Sequence, residues 1–279
     1  MVLTIKRGSA IINTKLIINI KNKEDERMKN RLITLSTFII LFILWYVASL
    51  KANPLFIPSP ITVLENIKVL VLNGQLQTAA LYTFRRILIA SSLAGIVALP
   101  LGLLIYNFNF FKYTINPLMS LLRFIPITAF YPLLIMWFGI EEQMKITFLF
   151  IATFVYMMPS VLLSLEEINT DLLDTGYTIG MNKLQAIWYI QLPSMLPSIL
   201  NSFIMCFGIG FTYCAVVESI NAGAGLGYMI QQSSARGKTD LVFVGILSIM
   251  VISYIFDNTA KWLVKKIFKW RYVEERCFE

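Results

Sequence analysis

Four stretches of this chain, Leu32 to Leu50, Ile87 to Tyr106, Ile146 to Leu165 and Ile199 to Val217, run without a single charged side chain. A helix rising about 1.5 Å per residue needs roughly 20 apolar residues to cross a hydrocarbon layer of about 30 Å, and each stretch meets that length. Two further runs qualify with interruptions: Ile115 to Phe138, containing Arg123, Pro117, Pro126 and Pro132, and Leu241 to Val264, containing Asp257 and Lys261. The expectation is an all-α integral membrane protein with six transmembrane helices. With 57% hydrophobic against 14% charged residues, the composition excludes an ordinary soluble domain.

An even number of spans puts both termini on one side, and the charge distribution says which. Eight of the 24 lysines and arginines fall in the first 31 residues, and Lys261, Lys265, Lys266, Lys269, Arg271 and Arg276 crowd the C-terminal end. Basic residues flanking an apolar body are a topology signal rather than a nucleic-acid footprint, so both termini are expected in the cytoplasm and no nucleic-acid partner is expected. The chain divides into a basic segment 1–31, a six-span domain 32–264 and a cytoplasmic tail 265–279. Met28-Lys29-Asn30-Arg31 stands immediately before the first apolar run and reads as a natural start, with residues 1–27 upstream of it.

No residue is a histidine, which removes the commonest metal ligand and general base. Neither catalysis nor a bound metal is expected of this chain. Cys206 and Cys214 lie inside one apolar run and read as small apolar fillers. Gly237-Lys238-Thr239 lacks the upstream glycine of a phosphate-binding loop, because Gln232 occupies that position. Gly223 to Gly227 lacks the spacing of a dinucleotide fingerprint and reads as a tight turn at the outer mouth.

Two connections carry local signals. After the first span, Ser59 can cap a helix that Pro60 opens and Gly74 ends, its apolar residues facing either the membrane interface or the bundle. Between the fourth and fifth spans, Glu166 to Leu196 is long and acidic for a cytoplasmic connection, with Glu166, Glu167, Asp171 and Asp174 against Lys183 alone, which suggests a soluble partner. Gly180 there permits a sharp reversal between two short helices, Asn182 can cap the second, Lys183 to Ile190, and Pro193 ends it. The result is a helix-turn-helix knob suited to a groove on that partner.

Asp174-Thr175-Gly176, then three residues, Gly180, then nine residues beginning at Met181, Ile190, one residue, and Leu192-Pro193 resembles the cytoplasmic coupling loop of binding-protein-dependent ABC transporter permeases. That family has Glu-Ala-Ala where this chain has Asp174, Thr175 and Gly176. From about Leu44 to Trp270 the chain looks like the nitrate, sulfonate and taurine branch, with Pro58-Ser59-Pro60, Arg86, Leu122 to Pro126, Trp137 to Ile140, Val217-Glu218, Gly225 to Tyr228 and Thr239-Asp240 in order. Phe124 replaces the proline usual after the arginine of that branch.

The resemblance implies a permease subunit of an importer in a plasma membrane, such as the cell inner membrane, passing a sulfonate, taurine, nitrate or vitamin precursor. It implies a homodimer, two ATP-binding subunits that use ATP and Mg, and an extracytoplasmic solute-binding protein, with no cofactor on this chain. Candidate pathway residues are Arg123, Pro126 and Glu218, since ionisable groups within spans are costly and often functional. Arg123 either lines the path or snorkels to the headgroups. Glu218 gates, pairs with a basic residue or sits in the interface. Asp257 and Lys261, four apart on one helix, form an ion pair. An ion-coupled secondary transporter, using Glu218 and Asp257, is the alternative.

Overall fold

The computed structural model describes residues 28, 29, 32–122, 124–220 and 222–271, and every described segment of regular structure is helical. The chain divides into two compact units, Met1–Val63 and Leu64–Glu279. The first contains α1 (Leu32–Lys51), whose most apolar stretch is only 6% buried, as a helix meant for lipid requires. The Trp45 indole donates to the Pro58 carbonyl at 3.2 Å, tying the end of α1 to the segment that follows. α2 (Pro60–Leu72) begins as the sequence predicts: the Thr62 amide donates to Ser59 Oγ at 3.2 Å, and Gly74, at φ 72°, closes the connection beyond it.

The second unit is built on α3 (Gln75–Asn107), α6 (Glu142–Glu166) and α9 (Leu192–Glu218). Between α3 and α6 come α4 (Asn109–Leu122), a short 3₁₀ turn at Ile127–Phe130 and α5 (Tyr131–Phe138). α7 (Thr170–Thr178) and α8 (Lys183–Ala186) separate α6 from α9, and α10 (Leu226–Ala235) and α11 (Thr239–Ile267) complete the chain. Five helices are continuous spans by length and apolarity. Where the sixth span is expected, α4 and Ile127–Phe138 meet at a 92° bend, the geometry of either a broken span or a re-entrant loop.

In lipid, helices gain little from hydrophobic exclusion and must approach closely to gain dispersion and hydrogen bonds. α3 supplies the surface for that. Ala90, Ala94, Ala98 and Gly102 recur every fourth residue and are all buried. A Cβ at Gly102 would stand 2.5 Å from Val161 Cγ1 of α6, and one at Gly210 of α9 would stand 2.6 Å from Ile87 Cγ2 of α3. Phe148, Phe207 and Phe211 fill the remaining core. The second half of α2 is held to this bundle by Asn66, whose amide donates to Asp240 Oδ2 at 2.7 Å, so the bundle is a partner of that helix.

Gly237-Lys238-Thr239 is the C-terminal cap of α10. Gly237 takes φ 68°, its N–H reaches Ser234 O at 3.0 Å, and the Lys238 N–H reaches Ser233 O at 2.9 Å. This pair of bonds satisfies carbonyls the helix end leaves open.

Candidate functional site

The connection between α6 and α9 is stiffened at every turn. Asn169 caps α7 by accepting from the Asp171 amide at 2.8 Å. At the other end, the Met181 N–H bonds to Gly176 O and the Gly180 N–H to Tyr177 O, both at 3.0 Å, with Gly180 at φ 91°. These two bonds with a left-handed glycine are the Schellman closure. Asn182 then opens α8 in a full capping box: the Gln185 amide donates to Asn182 Oδ1 and the Asn182 amide to Gln185 Oε1, both at 2.8 Å. The predicted reversal at Gly180 and the Asn182 cap are both present.

Pro193 does not end the second helix. The helix runs unbroken from Lys183 to Glu218, with a π-helical turn at Ile187–Gln191 in which the Leu192 N–H reaches Ile187 O. Proline lacks an N–H and its ring collides with the carbonyl four residues earlier, and the wider turn just ahead of Pro193 absorbs that conflict instead of breaking the helix.

Gly176, where an alanine was expected from the family pattern, is a packing device. It is buried, and a Cβ there would fall 2.6 Å from Ile190 Cδ1 and 3.2 Å from Met181 Sδ. The bare glycine lets α7 close on the π turn. Asp174 and Thr175 face outward, Thr175 Oγ1 bonding back to Asp171 O at 2.7 Å. Large apolar side chains project from the knob, including Ile179, Leu184, Trp188 (68% exposed) and Tyr189 (72%).

At the opposite ends of α6 and α9 lies an ionic cluster in which Arg86, Lys145 and Glu218 are buried and Glu142 is exposed. Arg86 of α3 is 3% exposed and Glu218 of α9 is 0% exposed. Arg86 Nη1 donates to Glu218 Oε1 at 2.6 Å and to Ala224 O at 2.7 Å, while its Nε and Nη2 grip the two oxygens of Glu142 at the start of α6. Glu218 also accepts from Thr83 Oγ1 at 2.9 Å and from the Gly227 amide at 2.8 Å. Thr83 in turn accepts from the Leu226 amide at 2.9 Å. Lys145 reaches Glu142 at 3.6 Å, so two cations face two carboxylates. Desolvating charge is expensive, and this arrangement meets the condition for keeping it: near-complete hydrogen bonding and neutral balance.

The glycine-rich turn is part of that cluster. Gly225 sits at φ 132° against the Glu218 carboxylate, where any Cβ would overlap it, and a Cβ at Gly227 would stand 2.7 Å from Ala215 O. Residues 222–227 are thus laid across the end of α9.

Residues 92–269 match the family described as binding-protein-dependent transport system inner membrane component. The chain belongs to this family. It is a permease of the ABC importer type and a multi-pass inner membrane protein. A taurine transport system permease protein of Escherichia coli (strain K12) is 28% identical over 276 residues, covering 94% of this chain and 98% of its own length. A formylaminopyrimidine transport permease protein of Halalkalibacterium halodurans is 25% identical over 236 residues, covering 84% of this chain and 94% of its own. Among solved structures, an inward-facing MetNI methionine ABC transporter superimposes with a TM-score of 0.62 at 19% identity, covering 70% of this chain and 97% of that chain. An amino acid ABC transporter gives a TM-score of 0.62 at 15% identity, over 71% and 97% respectively. The fold is shared with both.

In this permease, Asp174, Thr175, Gly176, Gly180, Met181, Ile190, Leu192 and Pro193 come together in one knob. Glu218 lies at the far end of α9 and takes the second of its three expected roles, pairing with a basic residue. Pro126 opens the 3₁₀ turn and is exposed, its carbonyl accepting from the Ala129 amide at 2.9 Å. Arg123, like residues 1–27, lies outside the described residues. Asp257 and Lys261 form the expected pair at 2.8 Å. Asp257 also lines a cleft of about 500 Å³ between α9 and α11, with Gly208, Thr212 and Ser253. The secondary-transporter alternative loses ground here, since both acids it would use are engaged by cations.

Sequence reading assigned no site role to Arg86, Thr83, Glu142 or Gln191. Arg86 was visible as a landmark, but Thr83 and Glu142 carried no signal because their partners are distant in the chain. Gln191 occupies the unspecified position of the loop motif, yet it is buried and exchanges two hydrogen bonds with Asn107.

Proposed function

We propose that two copies of this permease form a path for a small solute of the sulfonate, taurine, nitrate or vitamin-precursor type, and that the Asp174–Pro193 knob docks into a groove on a cytoplasmic ATP-binding subunit. Two such subunits bind ATP with Mg and close on it, and an extracytoplasmic solute-binding protein supplies the solute. Closure displaces the knob and switches the path between inward- and outward-open. Both termini lie in the cytoplasm, as the flanking lysines and arginines favour.

One observation carries the reading: an internally capped helix-turn-helix presents exposed aromatic side chains while its base continues directly into a transmembrane helix. Exposed aromatic anchors on a rigid support are what an interface needs, and an unbroken helix delivers the push to the bundle. Names of the taurine and formylaminopyrimidine relatives support the solute class. Arg123 and Pro126 are assigned to the path, and Glu218 to its outer end through its bond to Arg86.

Pull-down of the tagged chain from detergent-solubilised membranes tests the assembly: co-purification of an ATPase supports it, and a chain that comes out alone under conditions preserving an ABC complex refutes it. Gly180→Asp tests the knob. A side chain at φ 91° opens the Schellman closure, so the variant is expected in the membrane without stimulated ATP hydrolysis. Retained stimulation overturns the coupling role.

A further inference from the structure

Asn107 is the last residue of α3 and Gln191 the last of the π turn that joins the knob to α9. Their side-chain amides bond reciprocally, Asn107 Nδ2 to Gln191 Oε1 at 2.8 Å and Gln191 Nε2 to Asn107 Oδ1 at 3.0 Å. Asn107 Nδ2 also donates to Leu103 O at 3.0 Å, which fixes its orientation on α3. Two antiparallel N–H···O bonds in a low-dielectric setting fix separation and rotation together, whereas an apolar contact lets helices slide.

The same two helices are joined again toward their other ends, through Arg86, eleven residues into α3, and Glu218, the last residue of α9. Beyond Pro193, which follows Gln191 closely in α9, each carries a proline between the two junctions, Pro100 in α3 and Pro197 in α9, and α6 carries Pro159. These prolines lie seven residues from Asn107, five from Leu192 and seven from Glu166, or about 8–11 Å from the knob-side helix ends. Gly102 of α3 abuts Val161 and Leu165 of α6, which puts Pro100 and Pro159 at one level. Each interrupts the backbone ladder where a helix bends most readily.

We infer that Asn107 and Gln191 are positioning residues that yoke the coupling knob to α3. A displacement of the knob then carries the inner ends of α3 and α9 as one block, flexing at the proline layer, while Arg86, Glu142 and Glu218 hold the outer ends. This rests on the coupling role proposed for the knob.

The test uses the transporter reconstituted in proteoliposomes with its ATPase, and the solute-binding protein as purified from cells as the stimulus. The measured quantity is the ratio of stimulated to basal ATP hydrolysis, beside the melting temperature of the complex. Replacing both amides by apolar groups of similar shape, Asn107→Leu with Gln191→Met, leaves no orphaned partner, so the melting temperature should hold. The ratio should fall about fivefold or more. The exchanged pair, Asn107→Gln with Gln191→Asn, should restore it. A ratio within about twofold of the parent, a loss that tracks a fall in melting temperature, or a loss the exchange does not reverse overturns the yoke. Gly180→Asp serves as the control. If it uncouples while the amide variants do not, only the yoke falls; if it stays coupled, the coupling role falls and the yoke with it.

Discussion

Glu218→Ala should destabilise this permease far more than loss of the exposed Lys261 charge. The carboxylate accepts from the Arg86 guanidinium at 2.6 Å, the Gly227 amide at 2.8 Å and the Thr83 hydroxyl at 2.9 Å, with no solvent exposure. Alanine removes the acceptor of the Gly227 amide and the Thr83 hydroxyl, one of the acceptors of Arg86, and the contact of the Cys214 thiol at 3.3 Å. Arg86 keeps Glu142, so its charge is not left wholly unpaired, but the buried guanidinium loses half of its compensation. Breaking a buried pair from one side costs about 3–5 kcal/mol. For a domain of this size that corresponds to a fall in melting temperature on the order of 10 °C. The assay is thermal unfolding of the purified chain in detergent, with Lys261→Ala beside it as the comparison. A Glu218→Ala shift under about 2 °C would refute the claim that this cluster holds the outer ends of α3, α6 and α9 together.

Lys261→Ala removes a more exposed pair, with side chains 52% and 35% accessible, and should change stability by no more than about 0.5 kcal/mol in the same melt. Gly102→Ala drives a methyl into Val161 Cγ1, whose branched side chain is buried and stiff at χ1. Overpacking of about 1–3 kcal/mol should outweigh the roughly 1 kcal/mol helix-propensity gain, and a melting temperature at or above the parent's would contradict it. Gly176→Ala meets the ends of Ile190 and Met181 at 2.6 and 3.2 Å, both flexible enough to yield. There the clash and the propensity gain of about 1 kcal/mol should nearly cancel, leaving the melt within a few degrees of the parent.

The difference between those two glycines marks how far sequence reading reaches. Gly102 and Gly176 are alike in the sequence, each inside an apolar or motif-bearing helix, and only the identity of the distant neighbour separates them. The spans, the Ser59 cap, the reversal at Gly180, the Asn182 cap and the Asp257–Lys261 pair were all legible, because each is set within a few residues by helix geometry or by hydrogen bonds between near neighbours. The fate of Pro193 was not. Proline predicts a conflict with the carbonyl four residues earlier, but whether the chain resolves it by stopping or by widening into a π turn depends on what anchors the turn, and Gln191 is anchored by Asn107 from another helix.

The sequence by itself determined that this chain enters a membrane and carries a capped knob between two spans, since apolar length and local capping are properties of contiguous residues. The tertiary structure decided which charges meet. Arg86, Glu142 and Glu218 are separated by more than 50 residues at each step, and nothing in their local sequence contexts distinguishes a gate, a headgroup contact and a buried pair. Burial in a low-dielectric interior makes the pair the arrangement that compensates their desolvation, and burial exists only once α3, α6 and α9 have packed.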